Sequence, residues 1–464
     1  MAENDFIQKV NDFDRLLRVE DSFDINKREF VLFGKKAFMY FIDGCVQSEL
    51  LERLVEFMLK QKDMPKISAI DIIKKGIPHI EVKETQDTQQ LIDSVLVGEA
   101  VLLIDGYSQG IHINTRSFPA RDIDEPENER VIRGSRDGFV ETLLKNTAII
   151  RRRIRSTQLT FTRLTVGEYT KTDVCVAYMS DKADNKYVNS IINKIKNIKV
   201  YGLSMGHESL AECLVKQRWY NPFPKIRYTE RPDAVTAMLL EGSVIILCDN
   251  SPEAMILPTS IFDFMQETGD YYHPPLVGSY MRLLRIFIFI LTVILTPLWY
   301  LLISNPQLLP RWLGFIKVSY TGGLPVIIQL LILELAIDGL KLASLNTPNA
   351  LNNSLSIIGG LILGEYAVES GWFIPEVILY MAFVSLANFA QPSNELGYAF
   401  KFLRVMILIL TALFNIWGFV IGIVLSFILV ASNKTVNGDR SYLYPLIPFN
   451  AKAMKRLVFR VKLK

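Results

Sequence analysis

Five carboxylates stand where carboxylates are costly. Glu334 and Asp338 lie four residues apart in the apolar run 324–340, Glu365 and Glu369 four apart in 351–370, and Glu376 near the start of 373–390. At mid-bilayer depth an acidic side chain costs about 2.5–3.5 kcal/mol on insertion scales, against about −0.5 for each Leu or Ile. These groups cannot all face hydrocarbon, so they must face one another, water, another subunit or the membrane ends. The chemistry open to them is cation binding and passage, because rings of Asp and Glu select cations by charge. The four-residue spacing puts each pair on one helix face. A structural account competes: pairing with Lys341, with Asn side chains, or with each other through shared protons.

The elements that must hold these groups are apolar helices. Residues 286–310 carry no charge and follow Arg282 and Arg285; Pro297 can kink this run, and Trp299 and Tyr300 suit an interface. Four further runs follow, at 324–340, 351–370, 373–390 and 402–431, the last with Arg404 near its start. Ser356, Gly360 and Gly364 form a small-residue stripe that allows close helix packing. Five full spans would put the two termini on opposite sides. Yet Arg282, Arg285 and a tail from Asn433 with eight Lys+Arg against Asp439 alone all favour the cytoplasmic side. The reading that satisfies both is four full spans, one re-entrant segment within 342–391, and both termini cytoplasmic. The tail, AKAMKRLVFRVKLK, reads as a basic segment lying on anionic lipid.

Ahead of residue 281 the balance reverses, with 36 Lys+Arg against 41 Asp+Glu, where the remainder holds 15 against 7. The N-terminus has early acids and no apolar run, so it does not read as a secretory signal. Cys45, Cys175, Cys213 and Cys248 are scattered without a CxxC pair and read as buried thiols. Strand and helix patterns alternate and then repeat. VLLIDGYSQGIHIN (101–114) and SVIILCDNSPEAMIL (243–257) both read as strand, turn and returning strand. PHIEVKETQD (78–87) matches PKIRYTERPD (224–233), and each is followed by a helical run ending at Gly98 or Gly242. The expected fold is α+β: two duplicated small α/β cytosolic domains, then an α-helical membrane domain. The expected boundaries are a lead-in at 1–30, domains at 31–126 and 168–275, the membrane domain at 281–432 and the basic tail at 433–464.

Residues 127–167 read as a connector helix, capped by Asp137, with Phe139, Leu143, Leu144, Ile150 and Ile154 as its apolar positions. Arg151, Arg152, Arg153 and Arg155 close it. They suit the helix dipole on a solvated face, or contact with anionic lipid or a neighbouring subunit. Catalytic signals are missing. GKK at 34–36 lacks the phosphate-loop spacing, and no HExxH, GxSxG or Cys/His cluster occurs. No catalytic, cofactor or metal site is expected, nor a nucleic-acid partner. Asp43, Asp105 and Asp249 end strands and are explained by turn and cap roles.

RGSRDGFVETLLKNTAIIRRRIR (133–155), RYTERPD (227–233), RLLR (282–285) and SLSIIGGLILGEYAVESGWFIP (354–375) together resemble the A-subunit family of GerA-type spore germination receptors. The resemblance spans about residues 24–450. It implies two similar α/β subdomains before the membrane region, residence in the inner spore membrane, and assembly into homo-oligomers with other membrane subunits of the germination machinery. It also implies an oligomeric ion channel that releases monovalent cations. The rivals are a non-conducting scaffold and an ion-coupled secondary transporter; an enzyme ranks last.

Overall fold

The computed structural model describes residues 2–17, 19, 25–32, 34–42, 46–60, 81–117, 134–154, 156, 158–215, 218–318, 323–346, 366–438 and 441–460. The chain forms two compact units, Met1–Arg121 and Asp122–Lys464.

The first unit is a five-stranded antiparallel sheet in the order β1-β2-β4-β5-β3, with β1 Ile25–Leu32, β2 Lys35–Ile42, β3 Val82–Thr85, β4 Ala100–Ile104 and β5 Gly110–Ile113. Every residue of β4 is buried, because helices cover both faces. On one face α2 (Ser48–Leu59) packs Leu54, Val55 and Met58 against Met39, Leu102 and Ile104. On the other, α1 (Ala2–Leu17) and α3 (Thr88–Leu96) pack Phe13, Leu91 and Val95 against Tyr40, Val101 and Leu103. The alternation of 101/103 with 102/104 is the two-residue period of a strand. Glu99 pins one edge, accepting from His112 Nδ1 at 2.7 Å and Arg116 Nη2 at 2.5 Å. Burial opposes its charge, yet these two partners hold the Glu99 carboxyl below its ordinary value.

The second unit opens with the same plan. Its sheet runs β6-β7-β9-β10-β8, with β6 Leu159–Val166, β7 Thr172–Met179, β8 Arg227–Thr229, β9 Val244–Cys248 and β10 Ala254–Leu257. α5 (Asn185–Lys196) and α6 (His207–Leu214) cover one face, α4 (Leu143–Arg153) and α7 (Pro232–Leu240) the other. Equivalent atoms do equivalent work. The Asp105 amide donates to Lys36 O on β2, and the Asp249 amide to Asp173 O on β7, both at 2.9 Å. Gly98 and Gly242 end α3 and α7 at φ +88° and +93°, the left-handed cap that glycine tolerates.

Two boundaries differ from the expectation. The segment read as a lead-in supplies α1 and β1 to the first sheet, and the segment read as a connector supplies α4 and β6 to the second. Both missed strands are edges, and β1 carries the exposed Lys27 to Glu29 run on its open side, which dilutes the apolar signal. α4 is no solvated connector, since Leu143 and Ile150 are buried on Ala177 and Leu247. Asp137 does not cap it either. That role falls to Asp249, whose carboxylate accepts from the Leu143 amide at 3.0 Å; burial, with Asp173 nearby, pushes the Asp249 carboxyl up. Cys175 and Cys248 are buried, with thiols pushed up to about 12 by burial, and Cys213 is exposed. Cys45 lies outside the described residues.

Beyond the second sheet come α8 (Pro275–Ser304), α9 (Val326–Asn346), α10 (Pro375–Phe389), α11 (Asn394–Ala431) and α12 (Ala451–Val458). Two of these, α8 and α11, are long and apolar enough to cross a membrane. α11 is not straight: Asn415 has φ +54° and ψ −131°. A Cβ on Gly418 would lie 1.8 Å from the Leu410 carbonyl oxygen, and one on Gly422 3.0 Å from the Ile407 Cα. Residues 416–431 therefore fold back along 394–414. The run expected as one fifth span is an antiparallel helical hairpin, its two limbs packed at Gly418, Gly422 and Ser426, all buried. At the turn, Asn415 and Asn305 exchange amide hydrogen bonds of 2.5 and 3.0 Å. After α11 the chain returns to the second sheet's domain: Tyr442 donates to Pro224 O at 2.7 Å, and Ile261 N to Tyr442 O at 3.0 Å.

Candidate functional site: a buried charge cluster and its surroundings

α9 runs antiparallel to the first limb of α11, and the contact between them is ionic. Glu334, 5% exposed, receives a two-pronged bond from Arg404, Nε to Oε1 at 2.7 Å and Nη2 to Oε2 at 2.9 Å. The third guanidinium nitrogen, Nη1, donates to Thr292 O on α8 at 3.0 Å. One turn away, Lys401 donates to Glu334 O at 3.0 Å and to the Asp338 carboxylate. Lys341 follows, its ammonium 5.5 Å from the Tyr398 ring. Three helices thus meet at one cluster of two acids, Glu334 and Asp338, and three bases, Arg404, Lys401 and Lys341. A planar guanidinium matches a carboxylate in this geometry, which a lysine cannot do. Asp338 Oδ1 is buried without a partner among the described residues.

Among the described residues, the expected pathway acids Glu334, Asp338, Glu369 and Glu376 do not converge within one chain. Glu334 and Asp338 share the cluster just described. Glu369 is exposed in the single helical turn Ala367–Glu369, and Glu376 sits half-buried in the first turn of α10. Neither makes an ion pair or side-chain hydrogen bond among the described residues. This pair lies at the Asn305–Asn415 end of the bundle, where Gln329 accepts from Ile374 N at 2.9 Å and Phe373 packs with Trp299 and Ile316. Glu365, Ser356, Gly360, Gly364 and Arg155 lie outside the described residues. The stripe visible in the structure is Gly418, Gly422 and Ser426, with the same four-residue spacing. Reading the chain for that spacing beyond residue 402 finds it.

Lys401 and Arg404 were the missed partners, although the signal existed. They are three apart on one face of a helix, and the next 29 residues, 405–433, carry no charge, as two acids four apart on a neighbouring helix would require.

The charges near the base of α8 are likewise internal. Arg285 donates to Asp270 at 2.8 and 3.1 Å and to Glu267 at 2.5 Å. Arg282 is 4% exposed, lies 3.5 Å from Asp270, stacks 4.7 Å from the Tyr271 ring centroid and donates to Arg456 O at 2.8 Å. These arginines are not lipid-facing flanks. They fasten α8 to the segment leaving the second α/β domain, and α12 closes over them through Arg460 N to Ser279 Oγ at 3.0 Å. On α4, Arg151 donates to Ser156 O at 2.7 Å and Leu159 O at 2.8 Å, and Arg153 pairs with Asp137, so both act within their own domain. Arg152 is exposed. Among the described residues no group of His, Cys, Asp and Glu could hold a metal ion.

Comparison with known proteins agrees with this architecture. The family model described as Bacillus/Clostridium GerA spore germination protein matches residues 14–464. Stage V sporulation protein AF of Bacillus subtilis is 37% identical, over 95% of this chain and 89% of that protein. SFDINKREFVLFGKKAFMYFIDG (22–44) has the look of that branch. An uncharacterized membrane protein, YfkQ, of the same organism is 31% identical over 92% and 83% of the two chains. Spore germination protein KA, also from Bacillus subtilis, is 27% identical over 91% and 78%. The chain belongs to the GerA family of spore germination proteins.

Proposed function

We propose that this member of the family is a membrane-embedded subunit of the germination apparatus, assembled with copies of itself and with other membrane subunits around a path for monovalent cations. The membrane reading is supported by where tryptophans emerge. Trp312, Trp372 and Trp417 are exposed at the Asn305–Asn415 end, the position of an interface belt. Leu379, Leu386, Leu413, Phe427 and Ile428 are exposed along α10 and α11. The first limb of α11, at about 1.5 Å per residue, is close to the ~30 Å hydrocarbon thickness. The chain enters this region from the second α/β domain at Pro275 and rejoins that domain at Tyr442, which supports both termini lying on the cytoplasmic side. Counting the two limbs of α11 as two crossings makes the total even, so the proposed topology keeps both termini on one side without the re-entrant segment expected within 342–391.

The observation that carries the channel reading is the division among the acids. A cation approaching Glu334 or Asp338 must compete with Arg404 and Lys401, whereas Glu369 and Glu376 have no counter-charge among the described residues. Glu369 and Glu376, with Glu365 by its place in the sequence, are the proposed pathway carboxylates. Glu334 and Asp338 would hold the helices that frame the path. Ser356, Gly360 and Gly364 are proposed for helix packing, and Lys452 and Lys455 on α12 for anionic lipid. The test is K⁺ and Na⁺ release from vesicles bearing the full chain. Glu369→Gln and Glu376→Gln should slow release or change the K⁺/Na⁺ preference. Unchanged flux in both, with normal assembly, overturns the assignment. The second reading, a non-conducting assembly subunit, is favoured by the internal neutralisation of Glu334 and Asp338. Vesicles that release no ions at all would support it.

A further inference from the structure

α5 buries Val188, Ile191 and Ile195 against the second sheet. Its opposite stripe lines a cleft of about 1520 Å³, walled on the other sides by residues 213–215 with Arg218, Asn221 and Lys225, and by the 432–438 segment that follows α11. Six cationic side chains face this cleft: Lys186, Lys194, Lys199, Arg218, Lys225 and Lys434. No Asp or Glu lines it among the described residues. Lys194 braces the wall by donating to Val436 O at 2.8 Å. Asn437 also lines the cleft, with amide nitrogen and oxygen both buried and without partners among the described residues. Burial, with Arg218 beside it, holds the Lys225 ammonium below its ordinary value.

The cleft's height is fixed by one bond. Asn221 Nδ2 donates to Leu429 O in the last turn of α11 at 3.2 Å, so residues 218–221 sit level with the end of that helix. There Trp219 is 96% exposed, and Arg218 donates to the Tyr220 hydroxyl at 3.0 Å. Exposed Trp and Tyr at a helix end mark headgroup depth, a step that rests on the membrane reading above.

We infer that this cleft binds a phosphate-bearing anion, and that its source is the headgroup of an anionic phospholipid in the adjoining leaflet. The cluster differs from the basic tail in being preformed between two elements of the folded domain and the chain leaving α11. Each Lys or Arg near an anionic surface contributes about a fivefold change in affinity. The test titrates the full chain in neutral detergent with short-chain phosphatidylglycerol, short-chain phosphatidylcholine and inorganic pyrophosphate, reading binding by thermophoresis. Phosphatidylglycerol should bind more tightly than the other two, and Lys199→Gln/Arg218→Gln/Lys434→Gln should weaken it about a hundredfold at unchanged melting temperature. Lys145→Gln on α4, which covers the opposite face of the second sheet from α5, should leave it within about twofold. Equal losses in the two variants, or none in the first, overturn the cleft as a site. Tighter binding of pyrophosphate, lost in the triple variant, overturns the lipid source. Because the pyrophosphate arm needs no bilayer, failure of the membrane reading alone would leave that binding intact.

Discussion

Replacing Glu334 by leucine would leave the Arg404 guanidinium buried beside α8 and α9 without its carboxylate, the bond to Thr292 O alone remaining among the described residues. Arg404 is 3% exposed, so water cannot take the place of Glu334. Removing one partner of a buried pair costs about 3–5 kcal/mol, mostly the stranded charge, whereas replacing both by apolar groups is often neutral or stabilising. Glu334→Leu and Arg404→Met should therefore each be costly, and the double variant should regain most of the loss. Lys401 and Asp338 remain paired in that variant, so no new charge is stranded. For the second unit, Asp122–Lys464, an unfolding entropy of about 2.1 cal/mol/K per residue makes each kcal/mol roughly 1.4 °C, giving single-variant shifts of roughly 4–7 °C. The assay is thermal unfolding of the full chain in detergent, followed by ion release from vesicles with the same four proteins. Recovery of both stability and flux in the double variant identifies a lock between helices. A double variant as unstable as the two losses summed refutes the pairing argument, and a stable one with abolished flux moves the pair into the ion path.

Gly418→Ala should damage the α11 hairpin more than Gly422→Ala, because its Cβ would meet backbone at 1.8 Å rather than 3.0 Å. Loss of cysteine cross-linking between positions 403 and 426, buried on the two limbs, would report it in the full chain, and efficient cross-linking in Gly418→Ala would contradict the close approach. Asp249→Ala removes the acceptor for the Leu143 amide and should cost about 0.5–2 kcal/mol, the usual range for a lost helix cap. Asp137→Ala should leave α4 capped, which hydrogen exchange at Leu143 distinguishes. Glu99 carries a lowered folded-state pKa, so its stabilising contribution is complete above the ordinary value of 4.5 and fades as pH falls through the lower, folded value. Glu99→Gln should consequently destabilise the first unit at pH 7 by about 1–3 kcal/mol. The gap to the native chain should narrow in acid, and a gap that widens below pH 4.5 would reverse the assigned sign.

The repeat was legible because its signals are local. Asp105 and Asp249 close hairpins whose first strands are buried along their whole length, and Gly98 and Gly242 stop the preceding helices at positive φ. The outer strands β1 and β6 were not, since an edge strand shows one face to solvent and β1 alternates only near its end. The five acids were legible as a problem, but their solution was not. Glu334 and Arg404 are 70 residues apart, and the pairing depends on α9 lying antiparallel to α11, a fact of topology that no local pattern contains. The hairpin was hidden for a related reason. Residues 402–431 read as one continuous apolar run, and Asn415 is the single polar residue at its turn. Without Pro or Gly at that point, the run resembles a span. Its fold-back follows instead from Gly418, Gly422 and Ser426, which make sense only if a second helix lies within backbone distance. Since that second helix is the preceding limb of the same run, the chain turns back on itself, and the parity that pulled the termini to opposite sides disappears.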